Sequence, residues 1–365
     1  MEKRQEIQEK AVNTFLENGC LGILQVAQRV GKIKLSLDII NKMVEKGKLS
    51  AVPAVLIAYP DNRIKDSWEQ DMDKWGFKYK EKVEFVNYSS IWKNVLDDYE
   101  LVILDEIHAT SEQQRESIRL LADTTPYVLG LSGTISQETE LELRELGLRV
   151  IMKYLVEEAI EDGIIAPYRI YIHQVHLDTV FKTPNKKGKM VSEKQQYDAY
   201  TYVIEKMKQE RKDFKFLALH RNRVLQSSRA KINRTVHLLK KFSDKKVLVF
   251  TGLKKVSEAL GIPYFHSSSE NTGVFEDFKT GAITSLAVVN IGRAGVTFNE
   301  LEVVILSSFT GNEETTEQII ARALNKDIEG KIADIHIITS TEEAEIKKLN
   351  KALSSFDTKN IIWVK

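Results

Sequence analysis

A recurring alternation of short apolar segments and amphipathic helical segments is the feature that most constrains this 365-residue chain. In the first part of the sequence, the apolar segments cover residues 21–27, 54–58, 83–88, 101–104 and 127–131. Segments so short and so uniformly apolar are typical of strands buried on both faces, and such strands form parallel sheets covered by helices. The sequence therefore predicts an α/β domain with a parallel sheet over residues 1–155.

The same pattern returns in the last third of the chain. Further strands are expected over residues 246–250, 285–290, 302–307 and 332–339, with helices over 274–279, 315–325 and 341–353. A second parallel α/β domain is therefore predicted over residues 245–365. Residues 156–244 are predicted to be a connector and basic helical segment.

Composition excludes several classes of protein. A single cysteine, Cys20, excludes an internal disulfide and a cysteine-cluster metal site. No apolar stretch reaches the roughly 18 residues that a membrane span needs, so we expect a cytoplasmic protein (bacterial, in a phage-infected host, or on the nucleoid). The net charge is only +1, but residues 181–246 hold 19 Lys and Arg against 6 Asp and Glu. That excess is suited to nucleic-acid phosphates, although a solvated helical face would give the same composition.

Two short motifs carry the chemistry. Gly31 and Lys32 stand between an apolar strand and a helix, where backbone N–H groups and a lysine bind phosphate. Asp105 and Glu106 follow the strand over residues 101–104, at the end where α/β sheets bind ligands. One carboxylate would hold Mg²⁺ and the other would polarise an attacking water, as phosphoryl transfer requires. Each motif alone also fits a solvated surface turn, so it is their order along one chain that favours a nucleotide site.

These and further motifs resemble the core of superfamily 2 helicases, of the DExH-box or Swi/Snf-like and phage-type kind, over nearly the whole chain. In the first domain the similar segments are Gln8, residues 27–33, 58–63, 87–90, 105–108 and 131–134. In the second domain they are residues 247–252, 290–298 and 318–322. The resemblance implies two RecA-like parallel-sheet domains in tandem, with an ATP cleft between them and ATP and Mg²⁺ as cofactors.

The resemblance also implies a role for each matching residue. The nucleotide contacts would come from Gln8, which reads adenine, and from Arg29, Gly31, Lys32 and Gly295. Catalysis would involve Asp105, which also holds the metal, Glu106, Gln318 and Arg322. Nucleotide state would be coupled to the bound strand by His108, Ser132 and Thr134. The strand itself would be contacted by Pro60, Asn62, Arg63, Tyr88, Ser89, Thr251, Gly252 and Arg293.

Four positions depart from the family pattern. Ile33 replaces the Thr or Ser whose hydroxyl binds Mg²⁺, and Arg29 replaces a glycine of the phosphate loop. Asn325 stands where a second arginine would act as the finger, and Thr297 where an acidic or amide residue often contacts ribose. Both Ile33 and Asn325 would slow hydrolysis.

Three functions follow from these observations. The first is an ATP-dependent DNA helicase or double-stranded DNA translocase, acting as a monomer or as an accessory to a replication or recombination complex. The second is a helicase-like scaffold that binds nucleic acid with weak or no ATPase activity, and the third is an RNA helicase. Among residues outside the motifs, Trp68, Trp75 and Trp92 are interpreted as packing residues. Arg221 and Arg223 in the connector would touch either phosphate or solvent.

Overall fold

The computed structural model describes residues 2–184, 188–266, 273–289, 300–309, 313–326, 330–354 and 356–364, without the side chains of residues 2, 63, 313 and 314. Contacts divide the described chain into two compact domains, one ending at Ala166 and the other beginning at Pro167. The sequence predicts a first boundary at residue 155 and a separate connector over residues 156–244. The structure instead assigns the greater part of that connector to the second domain.

The first domain is a parallel sheet with helices on its faces. Its strands are β1 (Leu21–Val26), β2 (Val55–Tyr59), β3 (Val83–Asn87), β4 (Leu101–Asp105), β5 (Tyr127–Ser132) and β6 (Val150–Tyr154). Its helices are α1 (Glu2–Glu17), α2 (Lys32–Glu45), α3 (Asn62–Lys74), α4 (Glu112–Thr124), α5 (Gln137–Glu145) and α6 (Val156–Glu161). The strand order is β3-β2-β4-β5-β1-β6, and every pairing is parallel.

Burial explains why the inner strands were visible in the sequence and β6 was not. Every residue of β2 and β4 is buried, as their uniform apolarity predicts. Strand β6 lies at the sheet edge beside β1, and its residues range from buried to exposed. Such an edge strand carries polar residues such as Lys153, so it forms no continuous apolar run.

The second domain is also a parallel sheet. Its strands are β7 (Tyr168–Val175), β10 (Val247–Thr251), β11 (Tyr264–His266), β12 (Ser285–Val289), β13 (Val303–Leu306), β14 (Ala333–Ser340) and β15 (Ile361–Val364), in the order β11-β12-β10-β13-β14-β7-β15. Its helices are α7 (Glu193–Gln209), α8 (Lys215–Gln226), α9 (Arg229–Lys241), α10 (Lys254–Ala259), α11 (Gly273–Thr280), α12 (Glu313–Ala321) and α13 (Glu343–Ala352). The pairings within this sheet are all parallel.

Strand β7 is the largest difference from the predicted organisation. It lies between β14 and β15, inside the region expected to be a helical connector. Its sequence, YRIYIHQV, alternates buried and less buried residues, with Tyr168, Ile170 and Ile172 in the core. Polar residues therefore interrupt the apolar run that would have predicted this strand, although neighbouring strands pair with it on both sides.

The segment that leaves β7 forms an insertion, residues 177–228, before the domain resumes at α9. It contains an antiparallel hairpin, β8 (Lys182–Pro184) with β9 (Met190–Ser192), followed by α7 and α8. Helix α7 begins with a capping box in which Ser192 accepts from the N–H of Gln195. A small core of Leu177, Tyr197, Val224 and Leu225 holds the insertion together.

Two buried histidines link β7 to β14. Arg234 donates to Nδ1 of His173, so the proton of that ring is on Nε2, which donates to Nδ1 of His336 at 2.9 Å. Burial and, second, the charge of Arg234 together lower the pKa of His173 to about 4. Burial also lowers the pKa of His336 to about 3, with His173 as a second cause.

This pair predicts an acid-sensitive domain. Because both pKa values are lower in the folded protein, the unfolded chain binds more protons as the pH falls below about 6.5, the ordinary value. Each histidine should then remove about 1.4 kcal/mol of stability per pH unit. Urea unfolding between pH 7.5 and 5 should show a shallower pH dependence for His336→Phe than for the wild type. Parallel pH profiles would contradict this origin.

Candidate functional site

The candidate site is built along the carboxyl edge of the first sheet. The turn between β1 and α2 holds Arg29 and Gly31, with positive φ angles of 72° and 99°. Glycine adopts the conformation of Arg29 easily, which gives a physical reason why the family pattern has a glycine at this position. At Gly31 an added Cβ would lie 2.7 Å from Nε2 of Gln8, so Gln8 would have to shift, and the positive φ itself favours glycine. Gln8 in turn donates to the carbonyl of Val30 at 2.7 Å and so fixes the loop from α1.

Lys32 and Glu106 meet at the centre of this edge. Lys32 begins α2, and its Nζ lies 2.7 Å from Oε1 of Glu106, which follows β4. The backbone of Glu106 has a φ of 50°, an uncommon conformation for a non-glycine residue that turns its side chain away from the path of the strand. Nε2 of Gln28 lies 3.4 Å from the same carboxylate oxygen. The structure thus brings together the phosphate-loop lysine and one carboxylate of the predicted pair.

The two adjacent carboxylates differ in their electrostatics. Burial raises the pKa of Asp105 to about 6, and the neighbouring Glu106 carboxylate adds to the rise. Burial also opposes ionisation of Glu106, but the ammonium of Lys32 and the nearby His108 outweigh it and hold the pKa of Glu106 below its usual value. Glu106 therefore stays ionised to a lower pH than Asp105, which takes up a proton as the pH falls towards about 6. At neutral pH one carboxylate could act as a base and the other could bind a metal.

Asp105 is held from two sides and keeps one oxygen available. Nε1 of Trp68 donates to its Oδ2 at 2.8 Å, and the hydroxyl of Tyr88 donates to its backbone carbonyl at 2.8 Å. Among the described residues, Asp105 Oδ1 and Glu106 Oε2 are buried without a hydrogen-bond partner. Buried carboxylate oxygens without partners are costly unless a ligand completes them. They fit Mg²⁺, which protein sites bind through one or two carboxylates together with substrate phosphates and water.

Trp68 is expected to stabilise the site through its indole N–H. Trp68→Phe leaves Oδ2 of the buried Asp105 without a donor, so we expect unfolding to become easier by about 1–3 kcal/mol. Trp92→Phe is the matched control, since Trp92 is 63% exposed and should change stability by less than about 0.5 kcal/mol. Urea unfolding followed by circular dichroism measures both. Equal midpoints for the two variants would remove this role from Trp68.

A second network joins β4 to β5 beside the carboxylates. Nδ1 of His108 lies 2.7 Å from Oγ of Ser132, and Oγ of Ser132 lies 2.6 Å from the carbonyl of Thr134. Because the single hydroxyl proton of Ser132 is directed to Thr134, His108 is the donor in the first bond. His108 Nδ1 also lies 3.4 Å from Oε2 of Glu106. The three residues predicted to couple nucleotide state to the bound strand are therefore in contact, and their coupling role remains a prediction.

A cavity of about 870 Å³ opens beside the phosphate loop. Gln8, Arg29 and Gly31 line it at one end, and Trp75 lies on its wall. Lys32, Asp105 and Glu106 do not line it, so it lies on the α1 side of the loop rather than on the side of the carboxylates. Trp68 is fully buried as predicted, whereas Trp75 and Trp92 are 48% and 63% exposed, so the packing interpretation does not fit these two. Trp75 directly follows the end of α3, and Trp92 lies in a short 3-10 helix, Tyr88–Asn94, where helical periodicity does not fix the orientation of a side chain.

The residues predicted to contact nucleic acid in the first domain fall into two groups. Pro60, Asn62 and the exposed Ser89 follow the carboxyl ends of β2 and β3, on the same sheet edge as the carboxylates. Tyr88 is only 2% exposed and its hydroxyl is bonded to Asp105. Its burial fits a positioning role rather than direct contact with a strand. The side chain of Arg63, together with Arg293, Gly295 and Thr297, lies outside the described residues.

In the second domain, Thr251 and Gly252 stand at the carboxyl end of β10. Thr251 is 3% exposed and its hydroxyl lies 2.6 Å from Oγ of Ser257, so its side chain stabilises the turn into α10 and is not presented at the surface. A Cβ on Gly252 would lie 2.5 Å from Nε2 of Gln226, which explains the glycine as a close approach of α8. Gln318 is on α12 and Arg322, 7% exposed, directly follows it. The catalytic role of these two residues remains a prediction.

The chain was compared with models of protein families, with curated proteins and with solved structures. Residues 230–326 match the family model described as the helicase conserved C-terminal domain. No curated protein matches the chain by sequence. Among solved structures, S. cerevisiae Dbp5 bound to RNA and ADP BeF3 is 12% identical, with 98% of this chain and 89% of that chain covered and a TM-score of 0.59. A single-residue variant of Dbp5 in the same complex is 13% identical over the same shares, with a TM-score of 0.62.

The helicase domain of Pyrococcus furiosus Hef is also similar, with 12% identity, 94% and 96% of the two chains covered and a TM-score of 0.50. The two domains resemble tandem RecA-like helicase domains. Together, the family model over residues 230–326 and the structural likeness support a helicase-type fold of two RecA-like domains. Among the described helices of this chain, none is long and apolar enough to cross a membrane.

Two residues of the site were not identified from the sequence. Gln28 approaches Glu106, and an added Cβ on Gly133 would lie 3.2 Å from its amide nitrogen. Trp68 donates to Asp105 from α3, 37 residues away. The position of Gln28 inside the phosphate loop was a usable signal, because a polar side chain there faces the sheet edge. Nothing in the local sequence of Trp68 points to its partner.

Proposed function

We propose that this protein is an ATP-dependent motor that acts on DNA, as a helicase or as a double-stranded DNA translocase, in the cytoplasm. The observation that carries the proposal is the meeting of Lys32 with Glu106, beside Asp105, at the carboxyl edge of a parallel sheet and next to a phosphate loop. A lysine at the start of a helix suits a polyphosphate, and an ionised carboxylate beside it suits the activation of water.

Each residue has a defined task in this proposal. Backbone N–H groups of the loop and the Lys32 ammonium hold the phosphates, and Gln8 fixes the loop. Glu106, ionised at neutral pH, accepts a proton from the attacking water. Asp105 would hold Mg²⁺, which offsets the charge that develops on the phosphates. His108 and Ser132 connect Glu106 to the turn after β5, so a change at the nucleotide would reach that turn.

The test is ATP turnover measured without nucleic acid, with single-stranded DNA, with double-stranded DNA and with RNA. We expect DNA to stimulate the wild type and Lys32→Ala to remove the stimulated activity. Lys80→Ala is the matched control, since it removes a lysine of the same domain whose partner, Asp73, lies at 2.6 Å and away from the site. Equal turnover in wild type and Lys32→Ala would refute the proposal. Stimulation by RNA alone would assign the motor to RNA, the strand bound in the Dbp5 structures.

A second candidate function is a helicase-like scaffold that binds nucleic acid and hydrolyses ATP very slowly. Ile33 favours it, because the second residue of α2 offers no hydroxyl to Mg²⁺. Asn325 favours it as well, since it replaces the expected arginine finger, which is worth about 10³–10⁵ in rate in related enzymes. The double variant Ile33→Thr/Asn325→Arg should then raise turnover by orders of magnitude. A wild type that already turns over ATP several times per second would exclude the scaffold.

A further inference from the structure

The insertion carries a cavity that the helicase motifs do not use. The cavity has a volume of about 320 Å³, and its lining includes Phe181, Tyr200, His220, Arg223, Arg229 and Lys255. Three of these residues are cations. The carboxylate in the lining, Glu193, accepts from the backbone N–H groups of Arg229 and Asp178 with its two oxygens. Its hydrogen-bonding capacity is therefore directed at the backbone rather than at the cavity.

The cationic groups around this cavity include side chains without a protein partner. Within the described part of the chain, the side chains of Arg223 and Lys255 form no hydrogen bond or ion pair, and Nε2 of His220 is buried without a hydrogen-bond partner. Buried polar atoms in folded proteins are almost always satisfied, so such an atom marks a place where something else binds. Donors and cations without partners around one cavity suit an anion.

Aromatic rings surround the same cavity. His220 stacks on Tyr200 with ring centroids 5.9 Å apart and meets Phe216 edge-on at 4.4 Å. The guanidinium of Arg229 lies 3.9 Å above the ring of Phe181, which is half-exposed. Alternating aromatic and cationic groups are the surface that a single nucleic-acid strand needs, because its bases stack and its phosphates pair with cations.

The cavity also lies next to the carboxyl edge of the second sheet. Lys255 is near the start of α10, which follows Gly252 at the end of β10. Arg223 lies one helical turn before Gln226, whose amide donates to Ser308 beside Gly252. Ligands of parallel α/β sheets bind at this edge.

We infer that the insertion cavity holds a backbone phosphate of a nucleic-acid strand, bound by Arg223, Lys255 and His220, with Phe181 and Tyr200 beside the adjoining nucleotide. The inference rests on the proposed function, and it adds a strand contact that lies outside every motif of the helicase resemblance. It also assigns part of the basic excess of residues 181–246 to one defined site.

The test is the binding of a short fluorescein-labelled single-stranded oligonucleotide, followed by anisotropy at several salt concentrations. We expect Arg223→Ala/Lys255→Ala to bind roughly tenfold more weakly, with a slope of log affinity against log salt smaller by about one. Lys208→Ala/Lys212→Ala is the matched control, because these lysines belong to the same insertion, pair with Glu205 and Glu210, and do not line the cavity. Lys255→Ala alone changes an exposed side chain and provides a variant that keeps the fold.

Three outcomes would overturn the inference. The Arg223→Ala/Lys255→Ala variant could bind the strand as tightly as the wild type. The control variant Lys208→Ala/Lys212→Ala could lose as much affinity as the cavity variant, which would mean that the strand is attracted by the overall positive charge and not by this cavity. Inorganic phosphate at matched ionic strength could bind the wild type and not the Arg223→Ala/Lys255→Ala variant without displacing the strand, which would assign the site to a free anion. If the wild type binds DNA and hydrolyses ATP but any of these three results is found, the proposed function stands and only the inference about the cavity fails. A wild type that does neither loses both proposals.

Discussion

Replacing Glu106 with glutamine should reduce DNA-stimulated ATP turnover by about 10²–10⁴, the usual contribution of a positioned general base. Glutamine retains the shape of the side chain but cannot accept the proton of the attacking water. Lys32 loses its ionic partner at 2.7 Å and becomes more available to phosphate. We therefore expect nucleotide affinity, measured with a fluorescent ATP analogue, to be unchanged or higher while turnover collapses.

The matched control for this variant is Glu116→Gln. Glu116 belongs to α4 of the same domain, is 59% exposed at its side chain and pairs with Arg119. The control removes the same charge from the surface and should leave turnover unchanged. A Glu106→Gln protein with wild-type turnover would mean that Glu106 is not the base. A parallel loss of turnover and nucleotide affinity would assign Glu106 to binding instead.

Replacing Lys231 with alanine should destabilise the second domain by about 3–5 kcal/mol, the usual cost of removing one partner of a buried ion pair. Lys231 on α9 is fully buried and pairs with the carboxylate of Glu345 on α13. The second oxygen of Glu345 accepts from the N–H of Ser340 at the end of β14. Burial opposes ionisation of Glu345, but Lys231 and Ser340 outweigh it and lower its pKa. Without Lys231, a buried carboxylate would remain unpaired.

Urea unfolding measures this effect, and Lys194→Ala is its control. Lys194 also forms ion pairs with Asp198 and Glu342, but it is 38% exposed, so its loss should cost only about 0–1 kcal/mol. The double variant Lys231→Met/Glu345→Leu should recover much of the lost stability, because it removes both buried charges. Equal destabilisation by Lys231→Ala and Lys194→Ala would show that the buried pair contributes no more than a surface pair.

The fold was predictable to the extent that burial is uniform along a strand. Strands β2, β4 and β10 are buried at every residue, so their apolar runs alone indicated a parallel sheet. Strand β7 was not predicted, because a buried histidine and an exposed arginine interrupt its apolar residues. Its partners β14 and β15 also come far later in the chain. Local sequence carries no information about a partner so distant.

The candidate site was predictable where a motif lies on contiguous residues. Lys32, Asp105 and Glu106 were identified because phosphate and metal chemistry restricts residue types within a short turn. The interaction of Trp68 with Asp105, the bond of Tyr88 to the same residue and the approach of Gln226 to Gly252 join separate elements. These contacts depend on how each helix crosses the sheet. Hydrophobic periodicity predicts which face of a helix is buried, but it does not fix the crossing angle. The sequence therefore indicated candidate reacting groups, whose roles remain predictions, and left the residues that hold them in place unidentified.

The ion pair between Lys32 and Glu106 has a consequence for when the protein can react. The Lys32 ammonium, which would meet phosphate in the proposed function, contacts the Glu106 carboxylate, which would activate water. An incoming triphosphate must draw the lysine away, and only then does the carboxylate regain its full basicity. Binding of a triphosphate would thus release the base from its ion pair.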